Sequence, residues 1–129
     1  MRLLLDTHAL IWFLAGDPRL PPRARSEIEA AGPDTLVSAV SAMEVVTKHR
    51  LGKLPEAALL AQAFKLSIEE HGFSGLAISL AHAELAGRLP LSHKDPFDRL
   101  LIAQSLLEAA PLISNERVFD EAGVVRIWI

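Results

Sequence analysis

An α/β domain built on a largely parallel sheet is the fold class this sequence predicts, and three observations predict it. Short apolar or β-rich runs alternate with helix-length segments, as parallel strands joined by crossover helices require. The segment behind Asp95-Pro96 is apolar almost all round (Leu100, Leu101, Ile102, Ala103, Leu106, Leu107), which suits a helix packed deep against a sheet. Half of the 129 residues are hydrophobic and the mean hydropathy is +0.28, enough for one domain with a full core and no staples.

Arg2 to Leu5 reads as a short strand, ended by Asp6. Thr7 to Leu14 comes next as a buried helix, closed by Gly16 and the turn Asp17-Pro18. Pro21 and Pro22 open a polar helix through about Ala31, ended by Gly32-Pro33. Thr35 to Val40 is β-rich and passes into a helix from Ser41 to Gly52. Pro55 starts a helix in which Leu60, Phe64 and Ile68 recur every fourth residue, until Gly72 stops it. Phe73 to Ser79 is a short strand, Leu80 to Gly87 a helix, and Leu89 to Ser92 a loop. Asp95 then makes a good N-cap, Pro96 fits the first helical position because its missing N–H would be unpaired there, and Asp98 falls third. Pro111 to Ser114 is a brief strand, Glu116 to Ala122 a short helix or turn, and Val124 to Trp128 the last strand. No repeat, low-complexity segment or linker interrupts the series.

Composition removes several classes of function. With no cysteine there is no disulfide, thiolate metal site or cysteine nucleophile, which suits a reducing cytoplasm. No apolar run approaches the ~18 residues of a membrane span, and MRLLLD becomes charged too early for a signal peptide. A net charge of −3 and a pI near 5.9 do not mark a protein that holds nucleic acid by bulk charge. No Ser-His-Asp arrangement, Gly-rich phosphate loop or HExxH is present.

The informative feature is where the acids fall. Residues just beyond the carboxyl ends of parallel strands line the binding crevice of an open α/β sheet. Asp6 ends the first strand, Glu44 lies one turn into the helix after Thr35–Val40, Glu116 comes after Leu112-Ile113, and Asp98 reaches the same rim from the front of its helix. Acids from four segments cannot crowd a half-buried crevice without raised pKa values or a cation. A hard divalent ion, Mg²⁺ or Mn²⁺, suits such oxygen ligands. Each acid also has a structural alternative: Asp6 and Asp95 as caps, Glu44 in a capping box with Ser41, Asp98 and Glu116 as first-turn acids. Thr7, Ser38 and Ser114 could hold waters or phosphate oxygens, or simply cap; His8 and His93 stand beside acids. Lys48, His49, Arg50 and Lys53 form a basic cluster suited to a helix terminus or a nucleic-acid backbone. Trp12, Phe13, Leu14, Leu51, Leu54 and the helix near Phe64 offer more apolar surface than a small core must use, which fits either a partner protein or simply a well-filled core.

Four stretches together, LLLDTHALIWFLAG, VSAVSAMEVVTKHRLGKL, LPLSHKDPFDRLLIAQSL and PLISNERVF, span nearly the whole chain, and on them it resembles the PIN-domain family and, within it, the VapC-type toxin ribonucleases. The resemblance implies a three-layer α/β/α sandwich with a mostly parallel, about five-stranded sheet and an acidic Mg²⁺ site at one edge. It also implies RNA cleavage, a cognate antitoxin that inhibits it, and a homodimer. Carried over by position, the family acids fall on Asp6, Glu44 and Asp98, with Asp95 an additional acid near the metal. The fourth, usually aspartate, is Glu116 here; its extra methylene leaves direct ligation, ligation through water and no ligation all open. In such an enzyme Ser38 or Thr7 would orient water, while Lys48, Arg50 and Lys94 would steer the RNA backbone. Two rival functions remain: a degenerate site that only binds RNA or protein, and a receiver-type phosphoacceptor, which would want paired acids near the first strand and a late lysine that this chain lacks.

Overall fold

The structure, a computed structural model, describes residues 1–129. Five short strands form one parallel sheet: β1 (Leu3–Leu5), β2 (Thr35–Ser38), β3 (Ser74–Leu76), β4 (Leu112–Ile113) and β5 (Arg126–Ile127), in the order β3-β2-β1-β4-β5. Because side chains alternate across a strand, Leu3 and Leu5 enter one core while Leu4 enters another on the opposite face. The first core takes α1 (Thr7–Ala15), α2 (Pro22–Ala31), α4 (Ala58–Gln62) and α5 (Phe64–Glu70) through Leu10, Ile28, Leu60 and Ile68. The second takes α7 (Pro96–Glu108), through Leu101 and Ile102, and Phe119 from the turn Arg117–Ala122. Packed against α7 lies α6 (Leu80–Arg88). The result is the expected α/β/α sandwich, with both sheet faces covered as parallel strands demand.

β1 occupies the middle of the sheet. The chain builds outward from it to β3, then returns past it to β4 and β5. The helix after β1 packs on one face through Leu10, and the turn after β4 packs on the other through Phe119, so the chain parts at the carboxyl ends of these two strands. That topological switch is where a crevice must open.

Three predicted elements needed correction. The helix α3 (Ala39–Arg50) begins two residues before Ser41, because the Ser38 hydroxyl accepts from the Val40 amide at 3.0 Å and caps it there. The capping box of Ser41 with Glu44 therefore does not form, and both side chains are buried. The helix expected from Pro55 to Gly72 breaks at Ala63 (φ −151°, ψ 62°), giving α4 and α5, yet Leu60 and Ile68 still reach one core. Burial of the apolar α7 is one-sided: Leu106 and Leu107 stay exposed.

Two helix ends obey their sequence signals closely. Gly16 closes α1 at φ 65°, the left-handed conformation that glycine adopts without a Cβ clash. Asp95 caps α7 by accepting from the amides of Phe97 (2.8 Å) and Asp98 (3.2 Å), with Pro96 at the first position. Asp95→Ala is expected to lower stability by about 1 kcal/mol, read as a shifted urea midpoint with unchanged slope.

Candidate active site

The side chains that meet at the switch come from four segments. Asp6 is pinned at the end of β1, where its Oδ1 accepts from the Ala9 amide at 2.8 Å and caps α1. Thr7, the next residue, puts its hydroxyl 2.6 Å from Glu44 Oε1 and 3.0 Å from Ser41 Oγ, tying α1 to α3. A hydroxyl has one proton, so Thr7 donates to the carboxylate and can accept from Ser41. Lys48, one turn after Glu44 on α3, pairs with Oε2. At the mouth of α7, Asp98 Oδ2 lies 2.7 Å from His93 Nε2. After β4, Ser114 accepts from the Glu116 amide at 2.9 Å and turns the chain so that Glu116 faces the others.

Asp6, Glu44, Asp95, Asp98 and Glu116 line a single cavity of about 150 Å³ with Thr7, His8, Lys48 and Leu101. Burial holds the Asp6 carboxyl up at about 6; the Ser114 hydroxyl, the Ala9 amide and His8 pull it down, and the charge of Glu116 pushes it up. Burial likewise raises Asp98, against the pull of His93 and with the push of Asp95 and Glu44. Five carboxylates thus share one small volume, with Lys48 and His93 in direct contact as the positive or protonatable partners.

The donor set is all hard oxygen with excess negative charge, the chemistry that suits a small divalent cation. As the side chains stand, no three of them converge on one point at ligand distance. Glu44 is turned to Thr7 and Lys48, and Asp98 to His93. The residues therefore fit such an ion by type and neighbourhood, with rotations of Glu44 and Asp98 away from those partners.

The predicted substrate contacts divide. Thr7 and Lys48 line the cavity. Ser38 does not and cannot orient a reacting water: it has no exposed surface, and its hydroxyl is spent on the Val40 amide and on Gln104 Oε1 at 2.5 Å. Arg50 and Lys94 are exposed but outside the lining, Arg50 six residues beyond Glu44, about 9 Å along α3. Leu54 is buried, and Trp12, Phe13, Leu14 and Phe64 pack on the core, so much of the apolar surplus is internal; Leu51 alone of that set is exposed.

One positioning residue escaped the sequence reading. Arg99 gives its guanidinium to four carbonyls, those of Ala86 (2.9 Å), Leu89 (2.6 Å), Leu91 (3.1 Å) and His93 (2.8 Å). It staples the loop that carries His93 to the helix that carries Asp98. The available signal was an arginine behind a proline-containing loop whose carbonyls had no secondary-structure partners.

Known proteins share this architecture. The family model described as PIN domain matches residues 3–125. Among curated proteins no sequence matches. A VapBC complex from Salmonella typhimurium bound to DNA superposes with a TM-score of 0.71 at 15% identity, over 98% of this chain and 96% of that one. VapBC2 from Rickettsia felis bound to a promoter DNA fragment gives 0.69 at 16% identity over 100% of both chains. The Mycobacterium tuberculosis toxin VapC20, which cleaves the sarcin–ricin loop, gives 0.68 at 20% identity over 98% and 99%. At these identities the likeness is one of fold.

Proposed function

The chain belongs to the PIN domain family, and from that premise we propose that it is a metal-dependent endoribonuclease toxin of the VapC type. The observation that carries the reading is the meeting of Asp6, Glu44, Asp98 and Glu116, from four segments, in one cavity at the switch point of the sheet. Asp6, Glu44 and Asp98 would hold Mg²⁺ or Mn²⁺, with Glu116 and Asp95 within the same lining. Such an ion supplies Lewis-acid activation of water and neutralises charge on phosphate oxygens.

The chain's own residues then have defined tasks. Asp6 is held rigid by the Ala9 amide and keeps one oxygen anchored as a phosphate arrives, while Thr7 and Lys48 hold Glu44 in its resting orientation at the same cavity. Lys48 offers a positive charge at the rim for the RNA backbone. No side-chain nucleophile is needed, in keeping with the missing triad.

A partner belongs to the same reading. The VapBC structures are complexes, and an apolar cleft between α1, α4 and α5, lined by Ile11, Leu14, Leu60 and the exposed Leu59, supports a cognate antitoxin that lays an apolar helix there. A homodimer and a cytoplasmic site of action complete the proposal; no helix is long and apolar enough to cross a membrane.

The test is incubation of purified protein with total RNA, with Mg²⁺ and with EDTA, and then mapping of cut ends. Cleavage with Mg²⁺ that EDTA abolishes is expected. Two observations favour a second reading, a module that binds RNA or protein without cutting: the carboxylates do not converge on one point, and the fourth is Glu116. RNA retained intact at millimolar Mg²⁺ and Mn²⁺ would select it.

A further inference from the structure

Beside the acidic cavity lies a ledge of flat side chains that the proposed chemistry leaves unused. His8 lines the cavity and is exposed. Trp12 is four residues on, hence on the same face of α1, and its ring centre stands 5.5 Å from that of His8 at a 46° tilt. Trp128 braces Trp12 from the end of the chain, 5.9 Å away. Arg19 lays its guanidinium over Trp12, 4.8 Å from the ring centre. That guanidinium is itself fixed, since Asp17 accepts from Nη2 at 2.7 Å and from Nε at 3.2 Å. Trp12 and Trp128 are half-buried, while His8 and Arg19 are open to solvent.

A pocket of five carboxylates repels a polyanion, and the chain as a whole carries −3, so hold on RNA needs a contribution that is not net charge. Face-to-face stacking of unpaired bases on rings and guanidinium planes is such a contribution. We propose that this ledge is the subsite for single-stranded RNA next to the cut, one unpaired base lying on the His8 ring and a neighbouring base on the Arg19 guanidinium. Trp12 and Trp128 hold the two platforms in place. Every base has a π-face, so the ledge selects unpaired strand over duplex rather than one base over another. The inference rests on the nuclease reading above and names where its substrate lies.

The experiment is a fluorescence-anisotropy titration of the full chain carrying Asp98→Asn, in Mg²⁺, with a labelled mixed-sequence single-stranded RNA and with its duplex. KM and kcat are measured in parallel on the Asp98 protein. Adding His8→Ala is expected to weaken single-strand binding roughly 5- to 150-fold and to raise KM more than it lowers kcat, and His8→Phe restores binding. Arg19→Lys should bind as weakly as Arg19→Ala, since an ammonium keeps the charge but not the plane. Should His8→Ala fail to fold, His8→Asn against His8→Phe makes the same comparison. Undiminished binding by the His8 variants, no rescue by Phe, full rescue by Lys at Arg19, or equal affinity for duplex overturns the ledge. If the parent still cleaves RNA in that case, the nuclease reading survives; a parent that neither binds nor cuts RNA ends both.

Discussion

Asp98→Asn is expected to lower Mg²⁺-dependent RNA cleavage roughly a thousandfold, the loss of several kcal/mol of charge stabilisation at the phosphate. The fold should survive. An amide has nearly the volume of the carboxyl, and its oxygen can still pair with His93 Nε2 where Asp98 Oδ2 now sits at 2.7 Å. Asp95 continues to cap α7, since its bonds go to the Phe97 and Asp98 backbone amides. The negative charge at the third position favours the helix dipole by only about 0.3–1 kcal/mol, and burial already disfavours that charge. Single-turnover cleavage with a thermal melt of the same sample separates the two effects. A rate within tenfold of the parent would remove Asp98 from the catalytic set.

Asp6→Asn should be equally inactive, and it carries the second large effect with the opposite sign in stability. In the folded chain the Asp6 carboxyl titrates at about 6, mainly because it is buried, against 3.8 unperturbed. Between those two values the folded state keeps a proton that the unfolded state has released, so stability of the metal-free protein falls as pH rises through this window. Above pH 6 the penalty is fully present, of the order of 3 kcal/mol at about 1.4 kcal/mol per unit. Asparagine carries no such charge and remains a good N-cap for the Ala9 amide. In EDTA at pH 7.5 the variant is therefore expected to be more stable than the parent by up to about that amount, with the gap closing as pH drops from 6 to 4. Mg²⁺ should narrow the difference as well, because binding to the folded parent alone stabilises it. Denaturation midpoints across pH, with and without Mg²⁺, test this, and a variant no more stable than the parent in EDTA would sink the argument. The pair of effects is what a site strained for function predicts.

Local chemistry made much of the chain legible. The N-terminal front of α7 could be read because Asp95 and Pro96 each satisfy a backbone requirement within one turn of themselves. The C-terminal stop of α1 could be read because Gly16 takes a conformation that other residues resist. Where two short-range signals competed, sequence reading chose wrongly. Ser38 and Ser41 are both plausible caps three residues apart, and the sheet decided between them: β2 pairs with β3 as far as Ser38 opposite Leu76, and the helix can begin directly after. The same choice turned Ser38 from a proposed water-orienting group into a buried cap. The periodicity of Leu60, Phe64 and Ile68 was legible; the break at Ala63 was not, since it changes no residue's periodic position.

Asp6, Glu44 and Glu116 could be placed on one rim from sequence because the ends of parallel strands can be counted without knowing the order in which those strands lie, and Asp98 could be placed there from the front of its helix. Alternation of apolar runs and helices likewise determined the α/β class, and four stretches of sequence pointed to the family. Tertiary structure alone decided the strand order that puts β1 beside both β2 and β4, and with it the place where the acids meet. It alone brought Thr7 to Glu44, clamped the His93 loop through Arg99, and set Trp12 between Trp128 and Arg19. Those contacts join residues separated along the chain by loops or whole elements, and a side chain's own sequence carries no record of which distant neighbour packing will bring to it.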